Sequence, residues 1–488
     1  MKIVLDGNIN RIYVQSLCMA FFHGIKFPDN FDESTDGLEL YLKLDENEEF
    51  LSVISKLSWY NKEAEIEENY ELSSNETVER ARKTAVGQAV YKLCKQLTGK
   101  DVDWGILTGI RPSKVCLELL KTKSENEVLV ELCDKYLLSE AKAKLLVKVT
   151  QNEHLVMNKT DDLSCSLYIS IPFCPSRCNY CSFISCAGEK MLKLIPKYLE
   201  KLTLEIKNTT ELIKNMGLRL SCVYIGGGTP TVLNEEQLEL LLKEVNVCVN
   251  VSSLDEFTLE AGRPDTITEE KLVLAKKYGV TRISVNPQTL NDSVLEKIGR
   301  HHTSQDFLIA FDKVEKSQID CINTDLIAGL EGDDFDSFKK TVDKIVALSP
   351  QNVTVHSFCV KKSARILRDD AEIYNQDDID AKKSVDYAID TLLGNGYEPY
   401  YMYRQKNTVG NLENVGYSKS GFFGLYNVFM MSDAHTVFGV GAGATTKLVK
   451  NNNGKTDILR IFSPKYPYEY LQDNQNNNGK ITEFFNRR

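Results

Sequence analysis

The sequence predicts an α/β protein: a partial (β/α)6 barrel of the TIM type, preceded by an α+β domain and followed by an α/β cap. Three observations predict it. From Cys165 to His356, six short apolar runs alternate with helical stretches, the pattern of parallel strands joined by outer helices. Three cysteines at C-x3-C-x2-C spacing follow the first run, and a glycine triplet closes the second. Such loops belong at the carboxyl ends of parallel strands, where α/β folds bind ligands. The patterns before residue 160 and after residue 380 differ from the middle. They divide the chain into an N-terminal α+β domain (1–160), a core barrel (161–380) and a C-terminal domain (381–488).

Composition agrees. At 488 residues the chain exceeds one ordinary core, so two or three domains are expected. Its 42% hydrophobic and 26% charged residues are those of a globular protein. No run of eighteen apolar residues is present, and no transmembrane helix is expected. Met1–Asp6 lacks a secretory pattern. Thirteen cysteines suit a reducing compartment, and a cytoplasmic protein with no membrane partner is the expectation. Cys18, Cys94, Cys116, Cys133, Cys165, Cys222, Cys248 and Cys321 lie in apolar contexts and read as small core residues. A formal charge of −10 without a dense Lys/Arg stripe argues against a nucleic-acid partner.

In the first domain, Lys2–Gly7 and Glu39–Leu44 read as strands, and helical periodicity covers about Glu76–Leu97 and Ser124–Asn152. Trp104–Pro112, punctuated by Gly and Pro, is a packed turn, or a surface that covers the active site or docks a partner. Lys159–Asp162 is a polar linker. The barrel strands are expected at Ser166–Ile171, Cys222–Ile225, Glu256–Glu260, Arg282–Val285, Cys321–Ile327 and Asn352–His356. The helices between them are Lys193–Met216, Asn234–Val245, Thr268–Tyr278, Asp292–Ile298 with Ser304–Ser317, and Asp336–Leu348. Six strands are too few for a closed eightfold barrel, so a curved partial barrel is expected over an open doubly wound sheet. The tail opens with a helix, Asp380–Leu393, then an aromatic segment, Tyr397–Tyr403, and a glycine-rich run, Phe438–Ala444.

The chemistry concentrates at Cys174, Cys178 and Cys181. Three thiolates on one short loop can hold three corners of a cubane iron–sulfur cluster, whose usual complement is four cysteines. The missing fourth leaves one iron open for chemistry. Structural zinc fits less well, since it takes four ligands. Pro172 and Pro175 stiffen the loop, and the spacing of Cys186 suits a flexible flank better than a fourth corner. Gly226-Gly227-Gly228-Thr229-Pro230 exposes bare backbone that a ligand can approach. Alone it would be a tight strand-to-helix turn; one unit after the cysteine loop, it is a wall of the same site.

Together these residues resemble the radical S-adenosylmethionine (SAM) superfamily, with Tyr180 as the aromatic residue before the third cysteine. The resemblance implies a 4Fe–4S cluster on Cys174, Cys178 and Cys181. SAM would chelate the open iron and be cleaved reductively to methionine and a 5′-deoxyadenosyl radical. Leu167-Tyr168-Ile169-Ser170-Ile171-Pro172-Phe173-Cys174 is similar to the first strand of oxygen-independent coproporphyrinogen III oxidases. That similarity places Tyr168 beside SAM as the implied catalytic tyrosine. It implies further cofactor contacts from Tyr180, Gly227, Gly228, Thr229, Glu260, Gln288, Arg300 and Asp325, and a backbone contact from Cys359. Resemblance to the HemZ-type coproporphyrinogen dehydrogenase branch runs nearly full length, through Leu107–Pro112, Glu260–Asp265 and Tyr403–Tyr417. Two positions depart: Ser170 stands where the family has histidine, and Phe183 where the better-known oxidases have a fourth cysteine. Cys181-Ser182-Phe183 also resembles the related haem chaperones.

The resemblance implies oxidative decarboxylation of coproporphyrinogen III to protoporphyrinogen IX, with an external electron donor such as flavodoxin or ferredoxin. A tetracarboxylate tetrapyrrole needs cations, and Arg263, Lys361, Lys362, Arg404 and Lys406 are candidates. The Tyr397–Tyr403 cluster would stack on the tetrapyrrole or pack in the core. Two alternatives share the scaffold. One is a haem-binding chaperone, for which His301, His302, His356 and His435 are candidate ligands; the other is a further radical enzyme on tetrapyrroles, such as a haem-degrading methyltransferase.

Overall fold

Alternating leucines fix the first sheet. The computed structural model describes residues 1–22, 24–27, 37–73, 76–181, 186–359, 378–405, 408–452, 455–473 and 477–486. They fall into two units, the first made of Met1–Gln151 with Tyr403–Asn411 and the second holding most of the remaining chain. In the first, β1 (Lys2–Asp6), β2 (Leu38–Glu46), β3 (Phe50–Trp59) and β4 (Lys62–Glu71) form a sheet in that order. β1 and β2 are parallel, the other pairs antiparallel. Leu38, Leu40, Leu42 and Leu44 are all buried, because a two-residue period puts them on one face. Helix Val78–Thr98 packs on this sheet.

Beyond β3 and the helices Arg11–Phe21 and Ser113–Leu120, which were not anticipated from sequence, two features differ from expectation. The periodicity near 124–152 spans two helices, Glu125–Asp134 and Glu140–Met157, broken where Leu137 takes φ 58°; the apolar spacing ran on across the turn. β4 carries five glutamates and gave no strand signal. As an edge strand it leaves four of them exposed, where charge is tolerated, and the half-buried Glu68 pairs with Lys92.

The second unit contains the six expected parallel strands: β5 (Ser164–Ile171), β6 (Arg219–Gly227), β7 (Glu256–Glu260), β8 (Arg282–Ser284), β9 (Cys321–Ala328) and β10 (Asn352–Ser357). They lie side by side in chain order, with helices between them as anticipated, including Ile195–Asn215 and Phe335–Leu348. The C-terminal strands β11 (Glu398–Arg404), β12 (Glu413–Ser418), β13 (Thr436–Val440), β14 (Thr445–Asn452) and β15 (Lys455–Phe462) extend the same sheet at both edges, in the order β11-β12-β10-β9-β8-β7-β6-β5-β13-β14-β15. β12 joins antiparallel to β10, and β13 parallel to β5. The glycine-rich run Phe438–Ala444 is thus the end of β13 and the turn that leads into β14. Gly439 lies so close to Thr445 that a Cβ would come within 2.7 Å of its carbonyl oxygen.

A buried ion pair anchors the amino ends of the strands. Arg282 donates to Glu256 at 3.1 Å, and both side chains are buried. Arg282 also donates to Asn352, Phe422 O and Phe423 O. Glu256 accepts the N–H groups of Leu425 and Tyr426 at 2.9 and 3.3 Å. The pair therefore seats helix Leu425–Met431 against the sheet. Removing one member leaves the other buried and uncompensated, at a cost of about 3–5 kcal/mol. Glu256→Ala should lower the denaturant midpoint accordingly; an unchanged midpoint would show that the pair does not hold this helix.

Candidate active site

The site starts from the exit of β5. Gly228 donates to Ile171 O at 2.8 Å and Thr229 to Phe173 O at 2.7 Å. Backbone meets backbone so closely that a Cβ at 228 would lie 2.5 Å from Phe173 O. Gly227 takes φ 112°, open to glycine and to few other residues. Cys174 donates to Cys186 O at 3.0 Å, and Cys186 to Pro172 O at 2.8 Å. Cys186, expected in a flexible flank, is instead buried and closes the cysteine loop through its backbone. Asn179 N–H donates to Ile298 O at 2.9 Å and pins the far side.

The sulfurs sit among donors. Thr229 Oγ1 lies 3.4 Å from Cys174 Sγ, and an Arg263 nitrogen 3.8 Å from Cys178 Sγ. Arg263 is buried; it also donates to Ser176 O and Oγ and pairs with Asp265 at 3.1 Å. Arg300 is buried beside Tyr180 and Cys178 and donates to Gly262 O at 3.1 Å and Asn286 O at 2.6 Å. Among the described residues, no three His, Cys, Asp or Glu groups converge tightly enough for a single metal ion. The three thiols are not arranged as a mononuclear shell. None of the thirteen cysteines is in a disulfide.

Inside the sheet, Tyr168 of β5, Tyr224 of β6 and Tyr426 stack, with centroids 6.1 Å apart for Tyr168 to either partner and 4.3 Å for Tyr224–Tyr426. Tyr224 donates its hydroxyl to Glu260 at the end of β7, and Gly227 N–H adds a contact at 3.3 Å. Burial pushes the Glu260 carboxyl up to about 7, and the facing charge of Asp325 adds to it. Asp325 responds in the opposite direction. Burial would raise it, yet His356, Asn323 and Thr354 together hold it below the usual aspartate range. Asn286 and Asn323 donate to its two oxygens at 2.8 and 2.9 Å. Two neighbouring carboxyls with opposed shifts mark a functional site. Gln288 is buried, takes φ 70°, and bridges β9 through Asp325 O and Ile327 N–H. Cys359 lies just beyond the end of β10. The polar groups Glu260, Asn286, Gln288, Asp325 and His356 thus gather with the cysteine loop at the carboxyl ends of the strands.

Residues 168–345 match the Radical SAM superfamily. Over 96% of its length the chain is 32% identical to the oxygen-independent coproporphyrinogen-III oxidase-like protein HemZ of Bacillus subtilis, covering 95% of that protein. The chain belongs to the radical SAM superfamily, in the oxygen-independent coproporphyrinogen-III oxidase-like family. It is also 31% identical to the haem chaperone HemW of B. subtilis, over 62% of this chain and 77% of that one. The solved coproporphyrinogen III oxidase HemN of Escherichia coli shares the fold, with a TM-score of 0.51 at 20% identity, over 63% of this chain and 68% of that one.

Radical SAM proteins use a 4Fe–4S cluster and SAM, and this site fits both. Three cysteines on one loop, with hydrogen-bond donors and two guanidinium groups beside them, suit an anionic cluster. Arg300 Nε is buried without a protein partner, whereas the glycine triplet, expected to expose backbone to a ligand, turns its Cβ side to protein at all three positions: Gly226 to Tyr224 and Glu260, Gly227 to Ser170 and Ile171, Gly228 to Phe173.

Several expectations are corrected. Arg263, expected to pair with a substrate carboxylate, braces the cysteine loop. Arg404 is buried in the first unit under Trp104, 4.9 Å from the ring, and donates to Leu107 O and Asn411 O. Lys361, Lys362, Lys406 and Phe183 lie outside the described residues. Of the aromatic segment, Tyr397, Tyr400 and Tyr401 pack in the core, and Tyr401 occupies the space a side chain at Gly416 would need. Ser170 donates to Ala442 O at 2.7 Å and lies 3.0 Å from where a Cβ on Gly227 would stand. His435 is buried, stacked on Phe429 at 4.1 Å and bonded to Ser166 at 2.9 Å. His302 is buried beside Arg300 and Arg263, and His356 lies 3.9 Å from Asp325; His301 is exposed. Tyr224, Tyr426 and Asn286 were not singled out from sequence. Cys222–Ile225 of β6 is a continuous apolar run with no in–out alternation to single out Tyr224, and nothing local signals Tyr426.

Two predictions follow from this geometry. Gly228→Ala forces backbone apart at the loop neck and should destabilise by about 1–3 kcal/mol, read as a fall in Tm with loss of iron on reconstitution. Burial, aided by Lys447, depresses His435 to about 3 from an ordinary 6.5. Below 6.5 the unfolded chain takes up a proton that the folded chain refuses, so stability falls toward acid at up to about 1.4 kcal/mol per pH unit. His435→Phe should flatten that limb in denaturant titrations between pH 4 and 6.5, to the extent His302 does not contribute, since its own depression to about 4 has the same sign.

Proposed function

We propose that this radical SAM protein carries out oxygen-independent oxidative decarboxylation of coproporphyrinogen III to protoporphyrinogen IX. The observation that supports this most is the likeness to HemZ along 96% of the chain, N-terminal unit included; the likeness to HemW stops at 62%. In this reading Cys174, Cys178 and Cys181 hold the cluster. Tyr168, Tyr180, Gly227, Gly228, Thr229, Glu260, Gln288, Arg300, Asp325 and Cys359 contact SAM, with Tyr168 beside the reacting atoms. When bound, the cluster and SAM supply one-electron cleavage and abstraction of a hydrogen atom from a propionate β-carbon.

The chain's own residues do the rest. Arg263 and the backbone of Cys186 hold the cysteine loop in one shape. Asp325, kept ionised by His356 and two asparagines, is an acceptor at neutral pH. The Tyr168–Tyr224–Tyr426 stack walls the interior with rings and excludes water. Two of the substrate's four propionates become vinyl groups; for each, one β-hydrogen is abstracted, carbon dioxide leaves, and the remaining electron passes to an external one-electron acceptor. An external donor such as flavodoxin or ferredoxin supplies the reducing electron.

A haem chaperone on the same scaffold is the second reading, favoured by the HemW likenesses and by the absence of a cysteine at 183. Against it, His435 is buried and bonded to Ser166, His302 is buried, and His356 stands beside Asp325. Reconstituted protein given SAM, reductant and coproporphyrinogen III under anaerobic conditions should yield two successive losses of carbon dioxide plus two hydrogens by mass spectrometry. No porphyrinogen turnover together with stoichiometric haem binding would replace this reading with the second.

A further inference from the structure

Tyr224 is absent from every expectation drawn from sequence, yet it makes the one side-chain hydrogen bond recorded to Glu260 among the described residues. Three features make the contact a built one. The phenol donates to Oε1 while Gly227 N–H faces Oε2 at 3.3 Å, so the two oxygens are held from different sides. A Cβ at Gly226 would lie 2.7 Å from the Tyr224 ring and 2.9 Å from the Glu260 carboxyl. The first glycine of the triplet therefore makes room for this pair rather than for a ligand. The Tyr224 ring is clamped face to face on Tyr426 at 4.3 Å, and Tyr426 is seated by Glu256 through its backbone.

We propose that Tyr224 is a positioning residue for Glu260: its hydroxyl holds the carboxylate turned to accept a hydrogen bond from SAM, from the amino group or from a ribose hydroxyl. The proposal rests on the cofactor assignment above. The groups facing Glu260 are Tyr168 from β5, Tyr224 and the Gly227 N–H from β6, Asp325 from β9 and Tyr426 from the C-terminal helix. Burial and Asp325 favour the protonated carboxyl; Tyr224 and Gly227 favour the carboxylate. Loss of the phenol hydroxyl removes one of the two groups that keep Glu260 an acceptor near neutral pH. A hydrogen bond to a charged group supports about a tenfold or larger effect.

The pair can be read without any cofactor. In the cluster-free full chain, the carboxyl infrared band that disappears in Glu260→Gln should titrate with a midpoint near 7. The midpoint should move up by about one pH unit in Tyr224→Phe and stay in place in Tyr426→Phe, which keeps the ring and loses only its own hydroxyl. In reconstituted protein, Tyr224→Phe should bind SAM about tenfold more weakly at pH 7 by equilibrium dialysis, with recovery as pH rises. Equal weakening of 5′-methylthioadenosine assigns the contact to the ribose; weakening of SAM alone assigns it to the amino group. An unmoved band in Tyr224→Phe, or an equal move in Tyr426→Phe, overturns the proposal. A moved band with unchanged SAM affinity overturns the positioning role, and failure of the unmodified protein to bind SAM overturns the cofactor assignment and the proposal with it.

Discussion

At the mouth of β5, Gly228 and Thr229 donate to Ile171 O and Phe173 O across a gap too narrow for any Cβ. Nearly everything at the site follows from that contact of backbone on backbone. It sets the direction in which the cysteine loop leaves the sheet. It brings Thr229 Oγ1 to Cys174 Sγ. The neighbouring Gly226 and Gly227 then admit the Tyr224–Glu260 pair and the turn at φ 112°. Proline at 172 and 175 and the backbone of Cys186 stiffen what the glycines position. A loop fixed this way presents three sulfurs with little conformational entropy left to lose when a cluster binds.

Charge is divided between the two ends of the parallel strands. At the amino ends, Glu256 and Arg282 neutralise each other and hold helix Leu425–Met431. At the carboxyl ends, the charges remain poised for a ligand: Glu260 pushed up by burial, Asp325 held down by its donors, Arg300 with one buried nitrogen unpaired. The separation matches the general division of α/β barrels, with stability at one face and chemistry at the other.

The legible parts of the sequence were those whose signal is local. β5 to β10 are apolar runs separated by helix-length spacers, and Glu256–Glu260 was placed to the residue. The cysteine spacing and the glycine triplet announce themselves. The tail was less legible for a physical reason. β12 reads Glu-Asn-Val-Gly-Tyr-Ser and is buried at all six positions, so no in–out alternation survives. β13 carries a glycine because β14 passes too close for a side chain. Within the site, Arg263 was misread because a charge in sequence does not reveal what it faces. Tyr426 gave no signal because its place is fixed by Glu256, far away along the chain.

In the proposed function a cubane is held by Cys174, Cys178 and Cys181 with its fourth iron open to SAM. Electron paramagnetic resonance of the anaerobically reconstituted, reduced protein tests it most directly. A 4Fe–4S signal whose g values change when SAM is added is the predicted result. A signal that SAM leaves untouched, or the absence of any cubane signal after full iron and sulfide loading, would contradict it.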